Sequence, residues 1–380
     1  MRSILHTDSQ ILRGTTAGVT LVLLTAACGT SNNKRADSTA LTARDTAMTG
    51  VRPDSLAGRS NSTVVASSQQ VVLDALGTLG GKPIESLSAT EARKQPSPTD
   101  AVHSILTKEG KAVAPEAVGK VVNRTIPGPG GALPVRIYTP AGTGPFPVIV
   151  YFHGGGFVIA TNDTYDASAR ALANAAGAVL ISVEYRKAPE HKFPAAHDDA
   201  YAAYLWACMH AASINGDSTR IALAGESAGG NLAIATAIMA RDKKAPAPVH
   251  ILAVYPIVGT DTTTASYVRN ATAKPLSRAM MAWFLKQYVS TAADASDTRL
   301  NVVAADLKGL PPVTIVSAEI DPLMSEGEQI TSLLKAAGVK VEQKTFTGMA
   351  HEFFGQGAVV PMALDAVAFA ANGLKSGFTR

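Results

Sequence analysis

The sequence predicts an α/β fold: a mostly parallel, eight-stranded sheet with helices on both faces and a helical cap. Three observations predict it. Eight short apolar or alternating runs recur along the chain, and helical patterns separate most of them. The stretch Ile221 to Ala240 reads strand, sharp turn, helix, with Gly225-Glu226-Ser227-Ala228-Gly229-Gly230 at the turn. One connection, from Pro256 to Val313, exceeds fifty residues and carries its own apolar helix.

Composition bounds the class. Apolar content of 46% against 17% charged residues allows a large buried core. The net charge of +4 comes from 34 basic and 30 acidic residues with no long basic run, so no nucleic-acid partner is expected. Two cysteines, Cys28 and Cys208, exclude a disulfide framework. Cys208 lies in an apolar helical pattern and reads as a buried, inert thiol. No Cys/His cluster has metal-ligand spacing, so neither a metal nor a cofactor is expected.

The first 28 residues read as a signal peptide. Arg2 and Arg13 give the basic segment, and Ala17 to Ala27 gives an apolar run. Its eleven residues fall short of the about 20 needed to span a bilayer. Thr25-Ala26-Ala27-Cys28 resembles a lipoprotein lipobox, although Thr stands where Leu is usual. The expectation is export to the periplasm or cell surface, with Cys28 as the lipidation site. A plain cleaved signal, giving a secreted protein, is the other reading. Residues 29–70 are rich in Ser, Thr, Asn, Ala and Asp, and read as a disordered linker.

Residues 71–118 turn helical and read as an N-terminal cap segment. The domain at 119–380 follows. Residues 121–126 and 133–138 alternate around Gly128-Pro129-Gly130-Gly131 like a hairpin. Continuous apolar strands are expected at 148–152, 178–183, 221–224, 250–255 and 313–318, and an alternating one at 339–346. The cap insertion is placed at about 259–306, with Met280, Met281, Trp283 and Phe284 on its apolar helix. These four, with Phe157, could line a substrate pocket or only pack the insertion down. Ligands of such sheets sit beyond the C-terminal strand ends.

The chemistry is expected there. At a turn this tight, side chains two positions before and after Ser227 would collide, so glycine fits both places. A serine nucleophile on such an elbow takes its acid and base from later post-strand loops, in the order Ser, Asp or Glu, His. Asp321 follows the strand at 313–318 and His351 follows the last strand. Glu319 could in principle orient the histidine, and Glu326 could start the next helix. His191 and His197 flank Phe193-Pro194 and read as structural, while His210 suits a helix C-terminus. Gly154, Gly155 and Gly156, after the strand at 148–152, free backbone N–H groups to approach a developing oxyanion, and Ala228 adds another donor. A phosphate cradle is disfavoured because no Gly-x-Gly-x-x-Gly, no phosphate-loop lysine and no directly following helix pattern is present.

Four blocks in order then carry a specific resemblance. They are His153-Gly154-Gly155-Gly156-Phe157, Glu184 to Ala196 (EYRKAPEHKFPAA), Gly225 to Leu232 (GESAGGNL), and Asp321-Pro322-Leu323 with His351. Over roughly 120–358 the chain resembles the hormone-sensitive-lipase family of α/β-hydrolases, the bacterial family IV esterases. The resemblance implies a Ser227, Asp321, His351 triad and an oxyanion hole of Gly155, Gly156 and Ala228. It leaves His153 to shape the loop. It implies a serine carboxylesterase acting on small esters with short to medium acyl chains through an acyl-enzyme. Amide or lactam hydrolysis on the same triad, or non-catalytic binding of a small molecule, are the alternatives. Two departures stand out: Glu226 replaces the commoner Asp before the serine, and Glu352 replaces the commoner Gly after the histidine.

Overall fold

The computed structural model describes residues 64–379. The expected signal peptide, Cys28 and nearly all of the expected linker lie outside the described residues. β1 (Lys120–Gly128) and β2 (Gly131–Thr139) form a hairpin whose ends, Gly128 and Gly131, pair directly. The remaining strands are β3 (Phe146–Phe152), β4 (Val179–Val183), β5 (Gly216–Glu226), β6 (Ile251–Val254), β7 (Val313–Ile320) and β8 (Val341–Ala350). They build one sheet in the order β1-β2-β4-β3-β5-β6-β7-β8. Only the β1–β2 and β2–β4 pairs are antiparallel.

Both faces of the central strands are buried, which is why their sequences are apolar throughout rather than alternating. Val148, Val150 and Phe152 face a core shared with α5 (Ala195–His210), α6 (Ala228–Asp242) and α10 (Met324–Ala336). Ile149 and Tyr151 face the opposite core, shared with α4 (Asp166–Ala176) and α11 (Pro361–Phe378). No helix among the described residues is long and apolar enough to cross a membrane.

Among the described residues, three α-helices precede the sheet: α1 (Ser67–Thr78), α2 (Ala89–Ala92) and α3 (Pro98–Lys108). The expected linker end at residue 70 is therefore corrected, because helix begins at Ser67. Gln69 is fully buried and donates to Gln356 Oε1 at 3.1 Å, a burial that a hydropathy pattern does not register. α3 starts on a capping box between Ser97 and Asp100, with Pro98 in its first turn. Arg93, after α2, donates to the carbonyls of Val158 (2.8 Å) and Ala188 (2.7 Å) and pairs with Glu190.

Between β6 and β7 the chain forms α7 (Ala265–Arg269), α8 (Arg278–Tyr288) and α9 (Ala292–Ser296). Glu326 lies in the first turn of α10, but its carboxylate serves the insertion. It accepts from the N–H groups of Val258 (2.5 Å) and Gly259 (3.2 Å) and from Tyr267 Oη (2.9 Å). Burial pushes its pKa up to about 7, against the pull of these hydrogen bonds. Glu326→Ala strands three donors, each costing about 1–3 kcal/mol when buried without a partner. The expected outcome is a loss of about 3 kcal/mol or more in urea unfolding. Glu326→Gln, which keeps an acceptor oxygen, should lose clearly less. An alanine variant as stable as the parent contradicts this anchoring.

Candidate active site

The site grows from the end of β5. Ser227 takes φ 56° and ψ −115°, a conformation that side-chain-bearing residues rarely adopt, and α6 begins at the next residue. The turn closes only because its neighbours are glycines. A Cβ on Gly225 would stand 2.1 Å from the Gly229 carbonyl oxygen, and one on Gly229 would stand 1.9 Å from that of Phe152. Ser227 N–H donates to Val254 O at 2.9 Å, tying the turn to the end of β6.

His351 follows β8 directly and reaches the same point. Its Nε2 lies 3.0 Å from Ser227 Oγ, and its Nδ1 lies 2.6 Å from Asp321 Oδ2. Asp321, fully buried after β7, also accepts from Leu323 N–H at 2.9 Å. With Nδ1 donating to the carboxylate, Nε2 is left as the acceptor for the serine hydroxyl. Burial pulls the His351 pKa down, but the charge and hydrogen bond of Asp321 outweigh it and hold the ring above 6.5. Glu319 is occupied elsewhere, accepting from Gly348 N–H at 2.8 Å. His197 is buried between Tyr288 Oη (2.8 Å) and Asn231 Oδ1 (2.9 Å), while His191 is exposed. His210 bonds the Trp206 carbonyl in the last turn of α5.

The glycine loop lies beside the elbow. His153 Nδ1 is 2.8 Å from the Gly154 carbonyl, and Tyr185 Oη donates to His153 O at 2.8 Å. Both contacts hold the loop from beneath. Gly155 and Gly156 have φ of 95° and 60°. A Cβ on Gly155 would meet the Ile159 carbonyl oxygen at 2.3 Å. A Cβ on Gly154 would meet Tyr165 Oη at 2.2 Å, so that glycine also makes room for a tyrosine. Among the described residues, no backbone carbonyl accepts from the N–H groups of Gly155, Gly156 or Ala228.

The five pocket candidates separate. Phe157 is turned inward at φ 63° and stacks on Tyr288 at 4.1 Å, so it belongs to the core and not to a pocket wall. Met281 is buried in the same core, with Met280 packed against it. Trp283 donates to Leu87 O at 3.2 Å and so pins α8 to the N-terminal segment. Phe284, buried in the same core, also meets the glycine loop: a Cβ on Gly156 would stand 2.3 Å from its ring.

Sequence reasoning missed the groups packed under His351. Glu226 is buried at the elbow, bonded by Tyr151 Oη at 2.6 Å and by Tyr255 Oη. Burial, reinforced by Glu352, pushes its pKa up to about 7. Tyr255 also lays its ring 4.4 Å from that of His351. Two clefts, of about 490 and 560 Å³, lie elsewhere and neither is lined by Ser227. Among the described residues, no group of three or more His, Cys, Asp or Glu could hold a metal ion.

Comparison with known proteins agrees with this architecture. The profile of the alpha/beta hydrolase fold family matches residues 149–355. Carboxylesterase NlhH of Mycobacterium tuberculosis is 43% identical over 249 residues, covering 64% of this chain and 78% of the relative. Ethyl acetate hydrolase of Pseudomonas putida is 31% identical over 306 residues, covering 79% and 94%. The structure of a hyperthermophilic esterase from Pyrobaculum calidifontis superposes with a TM-score of 0.74 at 37% identity, covering 81% of this chain and 96% of that one. The chain belongs to the α/β-hydrolase fold family, within its hormone-sensitive-lipase branch, the bacterial family IV esterases.

Proposed function

We propose that the protein is a serine carboxylesterase that hydrolyses short- to medium-chain esters through an acyl-enzyme. One observation carries the reading: Ser227 Oγ, His351 and Asp321 are joined by hydrogen bonds of 3.0 and 2.6 Å. Ser227 Oγ attacks the ester carbonyl while its proton passes to His351 Nε2. The tetrahedral oxyanion accepts from the free N–H groups of Gly155, Gly156 and Ala228. On collapse, His351 returns the proton to the leaving alcohol and the acyl group stays on Ser227. Water, deprotonated by the same nitrogen, then releases the acid. Asp321 fixes the tautomer and stabilises the charged ring. Each hole donor is worth about 3–4 kcal/mol of barrier.

The relatives named above support an ester as substrate, and one is named for ethyl acetate. Phe284, closing on Gly156, favours a small acyl group at the carbonyl carbon. Export and a lipid anchor at Cys28 rest on residues 1–28 alone and are part of the same proposal. The only membrane association in it is that anchor.

Ser227→Ala and His351→Ala should each lower kcat by about 10⁶ on an acetyl ester while the protein stays folded. Near-normal turnover by the serine variant overturns the mechanism. His351 must be neutral to accept the proton, and Asp321 holds its pKa up, so kcat/KM should fall off with an acid limb above pH 6.5. A limb below that value contradicts the role of Asp321. The parent should prefer butyryl esters to long-chain triglyceride emulsions, and Phe284→Ala should raise the octanoyl-to-acetyl ratio of kcat/KM by about tenfold. An unchanged ratio removes Phe284 from the acyl side.

A further inference from the structure

Glu352 stands where its backbone is unfavourable. Its φ is 68°, in the left-handed region where a Cβ is penalised and where the family pattern commonly has glycine. Its carboxylate has a definite seat. Oε1 accepts from Tyr165 Oη at 2.6 Å and lies 3.9 Å from His351 Nε2, the nitrogen that faces Ser227. Tyr165 itself is set by the space over Gly154, so the glycine loop, Tyr165, Glu352 and His351 form one continuous row of contacts.

The charges facing His351 come from several elements. Asp321, after β7, holds Nδ1 at 2.6 Å. Glu226, at the end of β5, acts on His351 through its charge and accepts from the hydroxyls of Tyr151 from β3 and Tyr255 after β6, whose ring lies 4.4 Å from that of His351. Tyr165 comes from the segment before α4, with the His153 ring 5.9 Å away. Among the described residues, the only cation within ion-pair distance of Glu352 is His351. Its side chain is 23% exposed. Burial raises its pKa and the charge on His351 opposes that rise, so protonating the imidazole favours the ionised carboxylate.

We propose that Glu352 is a positioning residue for the reaction. Its carboxylate, held by Tyr165 on the Ser227 side of the ring, stabilises His351 while it carries the proton taken from Ser227. The chain thus places one carboxylate at each ring nitrogen. The proposal rests on Ser227, Asp321 and His351 acting as described above.

Three variants test it. Glu352→Gln keeps the size and an acceptor for Tyr165 and removes the charge. Glu352→Gly removes the charge and relaxes the backbone. Tyr165→Phe keeps the charge and removes its tether. An opposite charge at this range shifts a titration by about one pH unit or more. In both Glu352 variants the acid limb of kcat/KM should move down by about one pH unit, and plateau kcat should fall by about tenfold with KM little changed. Tyr165→Phe should move the limb in the same direction by less. NMR titration of the His351 ring should show the same downward move, whether or not the protein turns over ester. Limbs and ring titrations that coincide with the parent overturn the proposal, even if both variants lose activity or stability. A parent that hydrolyses no ester overturns the esterase reading, and the ring titration then still decides whether Glu352 acts on His351.

Discussion

The structure depends on one constraint: Ser227 must sit in a left-handed turn at the end of β5, with its hydroxyl out and its backbone pressed against the neighbouring strand. Strain of this kind costs on the order of 1–3 kcal/mol and persists only where the surroundings over-determine it. Here they do. Gly229 packs onto the Phe152 carbonyl at the end of β3, Ser227 N–H bonds the end of β6, and Gly230 lies against Pro256. The C-terminal ends of three adjacent parallel strands thus converge on one residue. The glycine loop after β3 is then a neighbour of the serine by sheet order, whereas the loops after β7 and β8, two and three strands along, reach back past β6 to bring Asp321 and His351.

The added segments brace those loops. Arg93 grips the carbonyls of Val158 and Ala188, beside the glycine loop. Ala66 N–H bonds Gly348 O, and buried Gln69 bonds Gln356, whose amide in turn donates to the Glu352 carbonyl. The N-terminal helices therefore touch both halves of the site. Asn270, just after α7, donates to Asp321 O at 2.9 Å, so the insertion braces the acid as well. Two of these links, Gln69 to Gln356 and Asn270 to Asp321, are buried, where the low dielectric strengthens a hydrogen bond.

Much of this was legible from residue order. The central strands could be read because burial on both faces makes them continuously apolar. Ser227, Asp321 and His351 could be singled out because the topology fixes both their order and their place after strands. What stayed hidden depends on contacts between distant positions or on backbone angles that a side chain does not announce. Glu226 meets Tyr151 across 75 positions, and Glu352 meets Tyr165 across 187. Phe157, beside three glycines, looks like a pocket wall, but its positive φ turns the ring into the core. Gln69 reads as linker because the partner of its buried Nε2, Gln356, lies 287 positions away. Glu326 reads as a helix-starting residue, yet its partners lie 59 to 68 positions away.

The central claim is that Ser227 becomes acylated with His351 as its base. Rapid quenching during turnover of an activated acetate ester, followed by peptide mass spectrometry, tests it most directly. The account predicts an acetyl group on the peptide bearing Ser227, formed in a burst ahead of steady-state release, and none in Ser227→Ala. Turnover at the parent's full rate with no acyl adduct on Ser227 at any quench time would contradict it.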